Sequence, residues 1–306
     1  MFLCSITFKM TTRKLPKWLE DCKNKSSNST SDNANVELGE SSTISKENDN
    51  PRTGYRLRSS GIKSESPKDN YKDEDEEFLS STQHLPFVEY TGRVEYYTDF
   101  HDIAIASDEL MKWVDAQDKD IVPIAFDMEW PFSFQTGPGK SAVIQLCAEV
   151  NVCYVFHISQ LKKLPAALVH FLQHSKVRLH GVNIKNDCRK LGRDFEEVDS
   201  QLMIDHCVDL GVWCNKVINS SGRWSMARLV CHICKLQINK DPKVRMSKWH
   251  IQPLTKEQQI YAAIDVYIAQ VIYYDLEQRQ QEKIEKEKAF VEKYGEEAYK
   301  LVMNLS

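Results

Sequence analysis

The chain has 306 residues, a formal net charge of -4 and 42% hydrophobic residues, enough for one or two domains with a real core and too acidic for a surface that binds nucleic acid everywhere. No apolar run approaches the roughly 18–20 residues of a membrane helix, and the opening MFLCSITFKM is too short for a secretory signal, with Met10 a second candidate start. The 9 cysteines scatter without a disulfide framework, which suits a reducing compartment.

Residues 1–82 are rich in Ser, Asn, Lys, Asp and Glu, with hydrophobic residues too sparse to build a core, the composition of a disordered regulatory tail. Basic patches around Arg13, Lys14, Arg56 and Arg58, followed by the acidic run KDEDEE, leave two readings open. One is a solvated tail; the other is a nuclear-import and docking arm with Ser66-Pro67 as a phosphosite. The composition predicts an α/β domain over 83–276 and a charged C-terminal helix over 277–306.

Within that domain GRVEYYTDF alternates like a strand, and DIAIASDELMKWVDAQ has helical spacing. IVPIAFDMEW reads as a strand, SFQTGPGKS as a Gly/Pro turn, and AVIQLCAEV and VCYVFHIS as two more strands, together a largely antiparallel meander. A helix in PAALVHFLQHS, a short strand in VRLHGV and a helix in NIKNDCRKLGRDF follow. From about 225 the chain reads as helices and loops, the longest helix beginning at TKEQQIYAAIDVY.

Two motifs invite other chemistries. GPGKS at 137–141 ends like a phosphate-binding P-loop, but the glycine required five places before Gly139 is Phe134, so no ATP site is expected. The segment is expected to shape a hairpin tip, with Lys140 within reach of a phosphate. Cys231 and Cys234 have the CxxC spacing of zinc ligands. Met226, Leu229, Val230, Ile233 and Leu236 nevertheless read as one amphipathic helix, on which buried free thiols are the plainer interpretation.

The acids carry the stronger signal. In a strand, Asp127 and Glu129 point to one face while Phe126, Met128 and Trp130 point to the other. Two like charges side by side on a half-buried surface repel and are costly to desolvate. On the NIKNDCRKLG helix, Asn183, Asp187 and Leu191 share one stripe, and Tyr261 and Asp265 lie four apart in an otherwise apolar helix. Any one of these acids could be an ion pair. Four inward-facing acids without an equal set of interior cations point instead to hard divalent cations such as Mg²⁺, which take carboxylate oxygens together with substrate phosphates.

The order DxE, NxxxDxxxL, YxxxD resembles the DEDD exonuclease superfamily, and tyrosine at 261 resembles its tyrosine branch. FDMEWPF, IQLC, CYVFHIS, RWSMARLV and PLTKEQQIYAAIDVY resemble the Werner syndrome-like 3′-5′ exonucleases, in their stand-alone insect form, over about 85–275. The resemblance implies an RNase H-like (DnaQ-like) fold, a mixed sheet flanked by helices, and 3′→5′ removal of nucleotides by two-metal hydrolysis, with ions about 3.5–4 Å apart. It implies two Mg²⁺ per site, with Mn²⁺ able to substitute. Asp127 would bridge both ions, Glu129 and Asp265 would hold the one that activates water, and Asp187 would support the second. Tyr261 would orient the attacking water. Asn183 is expected to cap or brace its helix rather than to act in catalysis.

Met128 and Trp130 are candidate wedges against the terminal nucleotide, with core packing the alternative for both. Arg189 stands where the Werner enzyme has an aromatic residue and is a candidate phosphate contact. DNA 3′ ends are the expected substrate, in the nucleus, in genome maintenance, replication and repair, with repair or replication proteins recruited through the tail and neither membrane nor ATP involved. An RNase D-like RNA 3′-processing enzyme and a non-catalytic nucleic-acid-binding scaffold are the alternatives. The presence of all four acids and the tyrosine speaks against the scaffold.

Overall fold

Alternation and helical spacing fix most elements where the sequence places them. A computed structural model of the protein describes residues 78, 82 and 84–303; the readings made for the first 82 residues lie, those two positions apart, outside them. In chain order the elements begin with β1 (Arg93–Tyr97), α1 (Phe100–Asp115) and β2 (Val122–Glu129). A small hairpin, β3 (Phe132–Ser133) and β4 (Gly137–Pro138), then leads to β5 (Val143–Glu149), β6 (Val152–His157), α2 (Ala166–Gln173), β7 (Val177–Gly181) and α3 (Ile184–Asp194). There follow α4 (Ser200–His206), β8 (Val208–Asp209), α5 (Leu210–Ile218), α6 (Met226–Leu229), a π-helical turn (Val230–Cys234), α7 (Pro242–Arg245), α8 (Lys256–Tyr294) and α9 (Glu296–Met303).

The main sheet has the order β1-β6-β5-β2-β7-β8. The β2/β5 and β5/β6 pairs are antiparallel, whereas β1/β6, β2/β7 and β7/β8 are parallel. This is the mixed sheet flanked by helices that the family resemblance implies. The largely antiparallel meander expected from strand spacing is therefore corrected: within the main sheet, consecutive strands form a hairpin only at β5/β6. The parallel pairs arise through crossovers that local sequence does not reveal.

Two cores cover the two faces. Ile124, Phe126, Met128, Leu146, Phe156, Leu168, Leu179 and Leu191 belong to the larger core, beneath α1, α2 and α3. Val143, Val155, Trp249, Leu254 and Ala262 form the other. Helix α8 starts with a capping box, Thr255 accepting from the Gln258 N–H and the Gln258 side chain accepting from the Thr255 N–H. It then buries its first half against the sheet. Gln270, fully buried, accepts from the Ala125 N–H at 2.9 Å and donates to the Pro123 carbonyl at 3.3 Å. One amide side chain thus sets the register of α8 against β2. Leaving these buried groups unpaired would cost about 1–3 kcal/mol each.

Three further departures have local causes. No break occurs at residue 277, because α8 runs unbroken to Tyr294; the segment is built from helix formers with no Gly or Pro before Gly295. The expected single helix through Met226–Leu236 is one α-turn followed by the π-turn, which buries Val230, Cys231, Ile233 and Cys234 and ends at Lys235 in the left-handed region. Residues 199–218, which have no clear periodicity, carry α4, β8 and α5. Two of these helices are capped by aspartates, Asp199 and Asp209, that accept from the first backbone N–H groups.

Candidate active site

The fold delivers the five residues of the acid motifs from three elements. Asp127 and Glu129 come from the end of β2, Asp187 from the first turn of α3, and Tyr261 and Asp265 from α8. Phe126 and Met128 are 1% and 3% exposed in the larger core, so pleat alternation turns the two acids to the face that carries α8. Asp265 is buried and the other three acids are half-buried.

Their electrostatics show that they share one site. Burial pushes the Asp127 carboxyl up to about 6, against the opposing pull of the Met128 N–H, Lys240 and Arg245. Glu129 is pushed well above the ordinary carboxylate range, first by burial and then by Asp127 and Asp265. Asp187 rises to about 8 through burial and the charges of Asp127 and Asp209. Asp265 rises to about 7 through burial and Asp127, offset by Lys240, Arg245 and a hydrogen bond from the Tyr261 hydroxyl. Tyr261 itself is pushed up by burial and then by the Asp265 and Glu129 charges. It stays protonated, so it can donate to Asp265 and accept from a water but does not serve as a base.

Asp127, whose charge raises the other three acids, and those three, opposed by two cations, form a concentrated negative site. All of its candidate ligand atoms are hard carboxylate oxygens, the donor set that Mg²⁺ and Mn²⁺ prefer. Among the described residues no three Asp, Glu, His or Cys side chains stand as a ready-made cage for a metal ion. The donor chemistry fits divalent cations, and in their absence protons partly neutralise the acids.

Supports for the site come from Asn183 of the second motif and from residues that motif reading did not single out. Asn183, at the N-cap of α3, is left-handed with φ 62 and makes no side-chain cap. Its N–H donates to Asp209 Oδ2 at 2.7 Å, and its side-chain oxygen accepts from Asn186. Asp209 therefore links the start of α5 to the start of α3, beside Asp187. Gly181 must lack a side chain, because a Cβ there would lie 2.7 Å from the Phe126 carbonyl. The cationic side comes from the segment NKDPKVRMSK, whose run of Lys and Arg between the second and third acid motifs was its only sequence signal. That segment is moored beside the tyrosine. Trp249, fully buried, donates to the Arg245 carbonyl at 3.0 Å and packs 6.0 Å from the Tyr261 ring.

The proposed substrate contacts separate. Met128 lies in the core, where it packs rather than wedges. Trp130 is half-buried against that core, with the Lys190 ammonium 4.9 Å from its ring centre. Lys140 is exposed; it donates to the Leu161 carbonyl at 3.1 Å and sits 3.9 Å over the Phe195 ring. Arg189 is exposed on α3, donating to Asn186 Oδ1 at 3.2 Å. Cys231 and Cys234 are thiols outside any disulfide, 5% and 1% exposed.

A 3′-5′ exonuclease family model matches residues 103–281. A 3′-5′ exonuclease of Drosophila erecta is 58% identical over 221 residues, covering 72% of this chain and 62% of that protein. One of Drosophila persimilis is 59% identical over 222 residues, covering the same 72% and 62%. The chain thus spans less than two thirds of the length of these relatives. Brucella melitensis NrnC with bound Mg²⁺ is similar at 16% identity and a TM-score of 0.46, over 64% of this chain and 86% of that one.

Proposed function

The chain belongs to the 3′-5′ exonuclease family, and from that premise we propose that it removes nucleotides from DNA 3′ ends by two-metal hydrolysis, as a Werner-like nuclease of the nucleus. Exonucleases of this family typically work with divalent metals. The observation that carries the proposal is the gathering of Asp127, Glu129, Asp187, Asp265 and the Tyr261 hydroxyl from β2, α3 and α8 into one mutually coupled acidic site. The preference for DNA rests on the Werner-like FDMEW and RWSM signatures.

Two divalent ions, when bound, would supply charge for the phosphoryl oxygens and activation of water. Asp127, Glu129, Asp187 and Asp265 are the residues that would hold them. Tyr261, protonated and already donating to Asp265, would turn the attacking water toward phosphorus. Water adds to phosphorus, the bond from phosphorus to the 3′ oxygen of the preceding nucleotide breaks, that oxygen leaves with a proton, and a nucleoside 5′-monophosphate is released. Lys240 and Arg245, whose charges oppose those of Asp127 and Asp265, would meet the phosphate charge.

A role in replication and repair, with proteins recruited through the first 82 residues, belongs to the same proposal. The test is shortening of matched 5′-labelled DNA and RNA strands by the full chain in Mg²⁺, with Asp127→Ala as control. Stepwise loss from the DNA 3′ end supports the proposal; shortening of RNA alone would replace it with an RNA-processing role.

A further inference from the structure

The hairpin that follows the catalytic strand holds a feature the acid site does not use. Three residues beyond Glu129, Phe132 is 46% exposed, and Phe134 at the tip is 94% exposed. The two rings meet edge to face, 5.4 Å apart with an interplanar angle of 90°, so neither ring lies flat over the other. Single exposed apolar residues are ordinary on protein surfaces. Two touching phenylalanines on a loop that begins next to a catalytic acid are a patch.

The hairpin is also built to keep its shape. Phe132 pairs with Pro138 and Ser133 with Gly137. Ser133 Oγ accepts from the N–H groups of Gln135 and Thr136 at 3.2 and 3.4 Å, and Gly137 takes φ +77, which a side chain would oppose. The Gly139 N–H donates to the Pro131 carbonyl at 2.8 Å, and the Ala142 N–H donates to the Glu129 carbonyl at 2.9 Å. Lys190 Nζ, itself paired with Asp194 at 3.0 Å, donates to the Gly139 carbonyl at 2.6 Å and ties the base of the hairpin to α3. From Trp130 to Lys140 the segment contains no acid, so nothing in it repels a polyanion.

We propose that the β3–β4 hairpin is a stacking platform for the nucleobases of a single-stranded 3′ end, with Phe134 as the principal face and Phe132 as its support. The proposal rests on the nuclease reading of the adjacent acids. Aromatic side chains bind successive bases through their π faces without sequence preference, since every base has such a face. A pre-ordered hairpin loses little freedom when it binds. Stacking is indifferent to the sugar, so the platform serves DNA and RNA alike.

The test uses the full chain carrying Asp127→Asn, which blocks cutting, and reads binding of single-stranded oligodeoxythymidine and oligouridine by fluorescence anisotropy in EDTA. Adding Phe134→Ala should weaken both roughly tenfold, and Phe132→Ala with Phe134→Ala further, on the scale of one or two lost base stacks. Phe134→Trp should restore binding. An oligonucleotide abasic over its last four nucleotides should bind the parent and the alanine variant alike. Unchanged melting temperature guards against unfolding, which the exposure of Phe134 makes easy to satisfy. Equal affinity of parent and alanine variants for the intact strand overturns the platform while leaving the nuclease reading in place. A wild-type chain that neither binds nor shortens any strand removes both. Loss of a self-associated form in sedimentation, with oligonucleotide affinity unchanged, would make the hairpin a contact between copies and also overturn the proposal.

Discussion

The floor of the site and its rim are built on opposite terms. The floor is β2, the first turn of α3 and the first half of α8: buried, acidic and locked by Gln270 between helix and strand. The rim is the β3–β4 hairpin and the 239–250 segment: exposed, aromatic on one and cationic on the other. The floor carries charge that no folded protein would bury without a counterpart. The rim carries the groups that a nucleic acid strand would meet. Chemistry and grip are thus separable, and substitutions should affect them differently.

The largest effect belongs to the floor. Asp127→Ala or Asp265→Ala should lower the cleavage rate by about 100-fold or more, since charge stabilisation and water activation are lost together, while circular dichroism stays native. If either variant kept more than about a tenth of wild-type activity in saturating Mg²⁺, the assignment of these acids as metal ligands would fail. Tyr261→Phe should be milder, about 100-fold at most, the low end for a positioning group. An unchanged single-turnover rate would leave Tyr261 as packing beside Trp249. On the rim, Arg245→Ala should chiefly raise KM, by about tenfold or less, and flatten the salt dependence of binding. A fall in kcat with KM unchanged would move Arg245 from the rim to the floor.

The same contrast explains what could be read from the sequence. Asp127 and Glu129 were legible because a period of two is unambiguous when Phe126 and Met128 flank them. Asp187 and Asp265 were legible because a charge on an apolar helical stripe is conspicuous. The mixed sheet was legible only through family resemblance, since β1/β6, β2/β7 and β7/β8 pair across long stretches of chain. β8, two residues long, is too short to leave a pattern, and with it went Asp209. Lys240 and Arg245 were hidden because a run of surface cations ordinarily means a solvated loop; only the fold brings them to the acids. Lys140 and Met128 drew attention by proximity in sequence; packing claims Met128, whereas Lys140 stays at the surface, tied to the Leu161 carbonyl.

A smaller effect concerns pH. The buried histidines, His157 lowered to about 4 and His180 to about 3 by burial, are neutral in the folded chain and nearly so in the unfolded one above pH 7, so they add only a small opposing slope near pH 7. Asp187, raised to about 8, keeps in the folded metal-free protein a proton that the unfolded chain has lost, and Glu129 is pushed the same way by burial and by Asp127 and Asp265. The folded state then binds more protons, so stability falls as pH rises from 7 toward about 8, where Asp187 loses its proton, by up to about 1.4 kcal/mol per unit for each such proton, and levels off above it. Thermal melts in EDTA across that range should show the fall. Asp187→Asn should reduce the slope, and a melting temperature flat across the range would contradict the mutual coupling of the acids.

The central claim is that these four acids are kept together because divalent cations take the place of their protons. Isothermal titration of Mn²⁺ into the full-length chain at pH 7, in two buffers of different ionisation enthalpy, tests it directly. The account predicts saturable binding with net proton release, both weakened by Asp265→Asn. No binding, or binding without proton release and indifferent to Asp265→Asn, would contradict it.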